Sequence, residues 1–419
     1  MLEFEEARVY ENMKRLCDLG PRVSGSESEE AAVRLIERQF EEYGLTDVIC
    51  QEFPHKYYDA KLAMIQDPTT GISLNGVPCW MSAETPEQGL TAETVYIGSH
   101  ELIDDVPASR VKGRIACVLM IDQHNDDIYE AWKSLYAKHP AAVVFMDLER
   151  NLAPRSYDYN GLAELFSTAP SMVVSAADMV EIHDRMFGSK LRLIVHGKSK
   201  AGLLRNVSAS VLGQREETVL ICAHHDTCTF APGATDNAAG VAIMLETARA
   251  ISKTQPKFTY HFVSFGGEEL GMLGSKEFVA SHSLDLISLC INFDSIGALP
   301  GVLLLLAAGT DKMISWLDSI AKTSTYPARC RRVATSGGDN KVFAANGIPT
   351  IHVASHGTTS GKVSHSTIDV SSLLRPRDLG EVGRLSCLVM DSLEESPDLS
   401  FEFEVPDDLR EKAMKRIAD

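Results

Sequence analysis

The sequence predicts an α/β fold in which a mixed, mostly parallel sheet is sandwiched by helices and carries a smaller inserted domain. After about residue 205, short apolar runs alternate with helical stretches, beginning with 219–223 and 238–251. This alternation is typical of parallel βαβ units in a doubly wound sheet. From about 60 to 200 the chain instead has short apolar runs broken by turn residues. Its 419 residues also exceed the size at which one hydrophobic core usually stops growing.

The elements follow in chain order from an N-terminal helix. Ser26 and Glu29 have the spacing of a capping box ahead of apolar residues at three- and four-residue steps, and Gly44 is placed to end that helix. Strand-like runs follow at 114–121, 141–146, 171–175, 219–223, 260–265, 289–293, 302–306 and 349–353. We therefore expect a main domain from 1–60 and 200–395, a β-rich α/β insertion at 61–199, and a C-terminal arm or tail at 396–419.

Composition excludes several classes of function. The formal net charge is −18, from 58 acidic and 40 basic residues, so a surface that tracks nucleic acid phosphates is not expected. No stretch approaches the roughly 20 apolar residues of a membrane span, and the first residues have no signal-peptide pattern. Nine cysteines without a C-x-x-C pair favour reduced thiols. These observations predict a cytoplasmic protein that binds neither nucleic acid nor membrane, with a homo-oligomer left open.

Polar residues that suit metal binding begin at His224, which ends an apolar run and is followed two residues later by Asp226. Residues i and i+2 of a strand face the same side, so Asp226 can orient the ring of His224. Ten residues further, Asp236 lies in a Gly-flanked loop that opens a helix of small residues. A glycine there allows the backbone to approach a ligand closely.

The next runs also end in acids or histidine. Glu268 and Glu269 follow one apolar run, Asp294 ends the next, and His365 lies in a late polar loop. Such ligands converge only where the carboxyl ends of parallel strands meet. Two imidazoles and three carboxylates suit two Zn²⁺ ions better than one structural site, which favours thiolates. Paired ions can activate a shared water for hydrolysis, and an unligated Glu268 would move its proton.

These motifs closely resemble the M28 family of zinc peptidases. Five motifs appear in the family's order: His224 to Asp226, Gly-Ala-Thr-Asp236-Asn-Ala-Ala-Gly, Gly-Glu268-Glu269-Leu-Gly, Phe-Asp294-Ser-Ile-Gly and His365-Ser-Thr-Ile-Asp369. The resemblance covers about 205–395 and the N-terminal helices, and it implies a phosphorylase/hydrolase-like fold.

The resemblance also implies roles for the individual residues. His224 and Asp294 would bind one zinc, Glu269 and His365 the other, and Asp236 would bridge them. Asp226 would orient His224, and Glu268 would be the base. The main domain would then be the zinc peptidase catalytic domain, with Co²⁺ and Mn²⁺ as alternative metals.

Other parts of the chain resemble the family less closely. The insertion loosely resembles a protease-associated domain. Asn340 stands where the family commonly has histidine, and Ser295 where it commonly has methionine. Both departures concern substrate preference rather than the metals.

Several alternatives stay open at this point. His352 or His356 could replace His365 as a ligand, and Cys222 and Cys228 are expected to be buried reduced thiols rather than zinc ligands. The leading hypothesis is an aminopeptidase acting on peptides or small amides through a metal-bridging water. The alternative enzymes are a carboxypeptidase and an acyl-amino-acid hydrolase, and a carboxypeptidase would need Arg or Lys near the metals. A non-catalytic binding protein of the same fold would have no use for Glu268.

Overall fold

The computed structural model describes residues 2–120, 127–148, 153–158, 160–298, 300–334, 337–357, 360–395 and 404–418. The strands in these ranges are β1 (Thr46–Gln66), β2 (Ser73–Pro78), β3 (Leu90–Ser99), β4 (Ile115–Met120), β5 (Ala142–Asp147), β6 (Ser171–Ser175), β7 (Lys190–Val211), β8 (Thr218–His224), β9 (Thr259–Phe265), β10 (Ile287–Phe293), β11 (Val302–Ala308), β12 (Ala328–Arg332) and β13 (Thr350–His356).

The helices of the described ranges are α1 (Glu6–Cys17), α2 (Glu27–Glu42), α3 (Ala108–Val111), α4 (Asp127–Ala137), α5 (Ala163–Phe166), α6 (Ala176–Met179), α7 (Ala239–Ser252), α8 (Leu273–Ser281), α9 (Asp311–Thr323), α10 (Asn340–Ala345), α11 (Ser360–Val363), α12 (Pro376–Glu395) and α13 (Asp407–Ala418). None of these helices is both long enough and apolar enough to cross a membrane.

The main sheet has the strand order β7-β9-β8-β10-β13-β11-β12. Strands β9, β8, β10 and β13 run parallel, whereas β7 is antiparallel to β9 and β11 is antiparallel to β13. Helix α7 is buried along its whole length from Ala239 to Ile251, and its charged residues Glu246 and Arg249 pair with each other. The predicted mixed, mostly parallel sheet flanked by helices is confirmed.

The inserted part forms a ring of strands rather than an open sheet. Strand β1 pairs with β2, and the pairing continues through β6, β5, β4, β3 and β7 until β7 pairs again with β1. Its interior is filled by apolar side chains such as Ile65, Val144, Met172 and Leu193. Strands β1 and β7 are long enough to belong to both the ring and the region beside the main sheet. The predicted domain boundaries and the protease-associated resemblance stay predictions.

The N-terminal capping box is only half formed, which corrects the sequence-based expectation. The Ser26 hydroxyl accepts a hydrogen bond from the Glu29 N–H at 3.2 Å. The Glu29 carboxylate does not return this bond, because it lies against Arg205 at 2.9 Å and His225 at 3.2 Å. Through these two contacts, Glu29 links α2 to the sheet.

The described part of the C-terminal arm contains α13, which packs on α10. Leu409 and Ala413 lie in one apolar cluster with Ala344 and Ala345. The Arg410 Nε also donates to the Ala345 carbonyl at 3.2 Å. Helix α10 directly follows Asp339, so the C-terminal helix supports an element at the edge of the site.

Candidate metal centre

His224 ends β8 and is buried, so its ring enters the site from the carboxyl edge of the sheet. Its Nδ1 lies 3.2 Å from the Asp226 carbonyl and 3.4 Å from Asp226 Oδ1. The expected orienting contact is therefore present, although β8 stops at His224 and Asp226 reaches it from the following loop rather than from the same strand face.

Asp226 is held from three directions. The Ser24 hydroxyl donates to its Oδ2 at 2.7 Å, and the N–H groups of Glu268 and Glu269 donate to the carboxylate at 3.2 and 3.3 Å. Burial opposes its ionisation, but hydrogen bonding and the charge of His224 lower its pKa. One ionised carboxylate thus fixes both His224 and the start of the Glu268–Glu269 turn.

Asp236 lies between the two predicted metal positions. Its Oδ1 is 3.1 Å from His224 Nε2, and its Oδ2 is 3.1 Å from His365 Nε2. The loop before it needs Gly233, which has φ of +60° and has no space for a Cβ beside Thr227. Each oxygen of one carboxylate therefore faces a different imidazole, which is the arrangement of a bridging ligand.

The loop around Asp236 is fixed by neighbours far away in sequence. The Asp369 carboxylate accepts from the N–H groups of Thr235 and Asp236 at 2.9 and 3.2 Å. Asn237 Nδ2 donates to the Phe293 carbonyl at 2.8 Å, which ties the loop to the end of β10. Burial raises the pKa of Asp369 to about 6.

The remaining predicted ligands complete two groups of donors. Asp294 Oδ1 is 3.6 Å from His224 Nε2, and Glu269 Oε2 is 3.2 Å from His365 Nε2. His224, Asp294 and Asp236 thus form one group, while His365, Glu269 and Asp236 form the other. The structure brings all five predicted ligands together, and their assignment as ligands stays a prediction.

Glu268 faces the same space without belonging to either group, since its Oε2 is 4.0 Å from His224 Nε2. Burial raises its pKa to about 8; His224 opposes this rise, while the neighbouring charges of Asp294 and Asp339 add to it. Gly338 lies against it, because a Cβ at that position would be 2.1 Å from Glu268 Oε1. The glycine leaves Glu268 room to adopt this position.

Two observations indicate that this set of donor atoms is suited to binding cations. Glu269 Oε1 is buried and has no hydrogen-bond partner among the described residues, a costly state unless another group binds it. Burial and the nearby Asp236 also raise the pKa of Glu269 well above its ordinary value. Three carboxylates and two imidazoles around one space lack positive charge, and divalent ions would supply it.

Asp339 is a site residue that sequence reasoning did not select. It is fully buried, accepts from the Ser275 hydroxyl at 2.6 Å, and leaves Oδ2 without a described partner. Burial raises its pKa to about 7. The sequence signal that could have identified it is its position directly after Gly337 and Gly338.

The inserted part also reaches the site. The Ser156 N–H donates to the His365 carbonyl at 2.8 Å, and the Asp158 carboxylate accepts hydrogen bonds from Ser156 Oγ and Thr229 N. Burial raises the pKa of Asp158. No local pattern in the sequence marked this segment.

The other histidines fit structural roles. His225 lies between Ser264 Oγ at 3.0 Å and Glu29, so its ring faces away from the candidate metal centre, as the sequence predicted. His261 contacts Ser210 Oγ at 2.9 Å. His352 is inside β13 and lies 3.3 Å from Asn292 Nδ2, whereas His365 meets Asp236 and Glu269. The geometry therefore favours His365 over His352.

The two cysteines and the two departures from the family pattern differ in their surroundings. Cys222 is buried and donates to Asn292 Oδ1 at 3.3 Å, which agrees with the expected buried thiol. Cys228 is also buried, but its Sγ is 3.1 Å from Glu269 Oε2. Ser295 donates to Asp294 Oδ1 at 3.2 Å, and Asn340 Oδ1 accepts from Asn292.

These donors meet at the carboxyl edge of the α/β sheet, as the sequence predicted for a zinc peptidase. Residues 206–390 match the model of Peptidase family M28, which confirms the predicted resemblance. The chain is 27% identical over 300 residues to "Aminopeptidase YwaD" of Bacillus subtilis, covering 71% of this chain and 63% of the relative. It is 24% identical over 307 residues to human "Carboxypeptidase Q", covering 69% and 64%.

The fold is also that of a solved structure, BSAP, "a zinc aminopeptidase from Bacillus subtilis". The TM-score is 0.75 at 22% identity, with 96% of this chain and 99% of that chain covered. The matched region spans just under two thirds of the two curated relatives, at 63% and 64% of their length.

Proposed function

We propose that the protein is a co-catalytic two-zinc exopeptidase, and that it is an aminopeptidase which removes N-terminal residues from peptides. The observation that carries the two-metal part is Asp236, whose two oxygens each lie 3.1 Å from a different imidazole. His224 and Asp294 would hold one ion, Glu269 and His365 the other. When bound, zinc supplies Lewis acidity toward the substrate carbonyl.

Glu268 would move the proton in this reaction. Its carboxylate lies beside the donor groups, 4.0 Å from His224 Nε2, and it is not one of the predicted ligands. A carboxylate in this position accepts a proton from the attacking water and returns it to the leaving amine. Asp226 acts through His224, whose ring it orients, and through the backbone of Glu268 and Glu269.

The charges around Glu268 support a free amino terminus as the group that the site accepts. Of the carboxylates that act on it, Asp294 and Asp236 are predicted zinc ligands, so Asp339 is the one left to attract an amino group. An ammonium group is attracted by such an environment, whereas a substrate carboxylate would be repelled. The likeness to an aminopeptidase of Bacillus subtilis agrees with this proposal.

The proton-shuttling role is tested with Glu268→Gln. This variant should bind zinc as the wild type does and should lose about 10²- to 10⁴-fold in kcat, the usual contribution of a general base. His224→Ala should lose zinc as well, measured by metal content after dialysis. Full turnover by Glu268→Gln would show that the assigned mechanism is wrong.

Substrate class is tested with dipeptides that have a free amino group, a blocked amino group or a blocked carboxyl group, each with and without chelator. We expect chelator-sensitive cleavage that requires the free amino group and tolerates a blocked carboxyl group. Carboxypeptidase activity is the second candidate, because the chain is also similar to Carboxypeptidase Q. Cleavage of blocked-amino substrates alone would favour it and would contradict the aminopeptidase proposal.

A further inference from the structure

One buried thiol lies inside the candidate metal centre. Cys228 is 2% exposed and follows Asp226 by two residues, in the loop that leaves β8. Its Sγ is 3.1 Å from Glu269 Oε2. Donor atoms of Cys228, Glu269 and His365 all lie within 4.8 Å of one another, so the thiol meets the same space as two predicted ligands.

A second observation on this side of the centre points to a ligand. The Glu269 side chain is 5% exposed, and its Oε1 has no hydrogen-bond partner among the described residues. Among the described residues, Glu269 Oε2 contacts the His365 ring and the Cys228 thiol. A buried carboxylate with an unused oxygen, an imidazole and a thiol is a set of donors that suits a soft or borderline cation.

The two halves of the centre therefore differ in chemistry. On one side lie His224 Nε2, Asp236 Oδ1 and Asp294 Oδ1. On the other lie His365 Nε2, Asp236 Oδ2 and Glu269 Oε2, with the Cys228 sulfur added. Only the second side offers sulfur among the residues that the structure describes at this site.

We propose that Cys228 is a thiolate ligand of the metal ion held by Glu269 and His365, so that the two metal positions are chemically unequal. The proposal rests on the two-metal site of the proposed function and adds a ligand to one half of it. Thiolate favours zinc and cobalt over manganese and magnesium. The Cys228 side should therefore retain zinc more strongly than the His224 side.

Binding of the thiolate changes the proton balance in a defined way. The S–H bond breaks, its proton goes to solvent, and the sulfur lone pair that remains forms the bond to the cation. Metal binding by the wild type should therefore release one more proton than binding by a variant that lacks the thiol. This quantity can be measured without any substrate.

Cobalt gives a spectroscopic test. The full chain is stripped of metal, loaded with Co²⁺ and compared with Cys228→Ser, which keeps a hydrogen-bond donor beside Glu269 but has no sulfur. Wild type should show a sulfur-to-cobalt charge-transfer band in the near ultraviolet, and Cys228→Ser should lack it. Cys330→Ser is the control, since Cys330 is a mostly buried thiol on β12, four strands from β8, and its band should match the wild type.

Calorimetry in buffers of different ionisation enthalpy then counts the protons released. We expect the wild type and Cys330→Ser to release one proton more than Cys228→Ser for zinc at this position. Zinc affinity of Cys228→Ser should fall by about 10- to 100-fold or more, since even supporting residues of a metal site cost that much. Manganese affinity should change less.

The outcomes separate this proposal from the peptidase proposal. A missing cobalt band in the wild type, or equal proton release by wild type and Cys228→Ser, would overturn the thiolate ligand and make Cys228 a hydrogen-bond donor only. If the band is present but no peptide is cleaved, the thiolate ligand stands and the peptidase function fails. A chain that binds neither cobalt nor zinc at these residues overturns both.

Discussion

Two carboxylates of the site, Asp236 and Asp226, each contact two partners at once. Asp236 lies 3.1 Å from two histidines that are 141 residues apart in sequence, and Asp226 contacts His224 while it accepts from the Glu268–Glu269 backbone. Such carboxylates have little freedom to move, because each shift improves one contact and weakens another. The positions of the site carboxylates should therefore change when a single neighbouring atom is added or removed.

Gly338→Ala tests this sensitivity. The new Cβ would be 2.1 Å from Glu268 Oε1, so Glu268 must move while the five predicted ligands keep their places. We expect unchanged zinc content and a loss of about 10²-fold in kcat, the cost of a misplacement near 1 Å. Gly361→Ala is the control, because a Cβ there meets nothing within 4 Å. Wild-type turnover by Gly338→Ala would contradict the packing described for Glu268.

His261, on β9, is expected to make the stability of the fold depend on pH. Burial, with a smaller contribution from His282, lowers its pKa to about 4 from an ordinary 6.5. Between pH 6.5 and pH 4, His261 is protonated in the unfolded chain but stays neutral in the folded chain. The free energy of unfolding should thus fall as pH drops from 6.5 to 4, by up to about 3 kcal/mol.

Urea unfolding of the zinc-free wild type and of His261→Gln, measured from pH 8 to pH 4, checks this expectation. The variant lacks the titrating ring, so its free energy of unfolding relative to that of the wild type should increase as pH falls from 6.5 to 4. Parallel pH profiles of the two proteins would show that His261 does not contribute.

At the scale of elements, buried ion pairs decide how helices attach to the sheet. Glu29 belongs to α2 and Arg205 to β7, and the atoms of this pair lie 2.9 Å apart with side chains 0% and 10% exposed. His225, which directly follows β8, contacts the same carboxylate. Helix α2 is thereby joined to two strands, and one of them carries His224.

Arg205→Met should therefore destabilise the protein by about 3–5 kcal/mol, because it leaves Glu29 buried without its main counter-charge. Adding Glu29→Gln should recover part of this loss, which a double-mutant cycle by urea unfolding measures. Lys133→Met is the matched control: it removes the exposed pair with Glu130 and should cost at most about 1 kcal/mol. Equal costs for Arg205→Met and Lys133→Met would contradict a structural role for the buried pair.

At the scale of the whole molecule, the candidate metal centre contains residues from much of the chain. Its predicted ligands come from β8, the loop before α7, the turn after β9, the end of β10 and the loop after α11. The inserted part adds Ser156 against His365. A cation bound there would join these segments and offset the repulsion between their carboxylates.

Removal of metal should therefore lower the melting temperature. Zinc at about 1,000 times its Kd would stabilise the folded state by about 4 kcal/mol, so chelator should lower Tm and added zinc should restore it. Asp236→Asn, which weakens both metal positions, should show a much smaller difference between the two conditions. An identical Tm with and without zinc, by calorimetry, would argue against a metal that belongs to the folded structure.

The sequence by itself determined the class of fold, the resemblance to the M28 family and the residues that meet at the site. Local patterns carry this information: apolar runs alternate with helical stretches, and acids or histidines follow the ends of those runs. Because parallel strands place their carboxyl ends at one edge, these patterns predict convergence without any knowledge of side-chain contacts.

Only the tertiary structure decided which partner each side chain takes. The Glu29 carboxylate contacts Arg205, 176 residues away, instead of capping its own helix. Cys228 contacts Glu269, 41 residues away. The closing of the inserted ring by β1 and β7 and the position of Asp339 beside Glu268 also depend on distant segments. Such contacts follow from packing of the whole chain, since a buried polar group binds whatever partner the fold brings within reach.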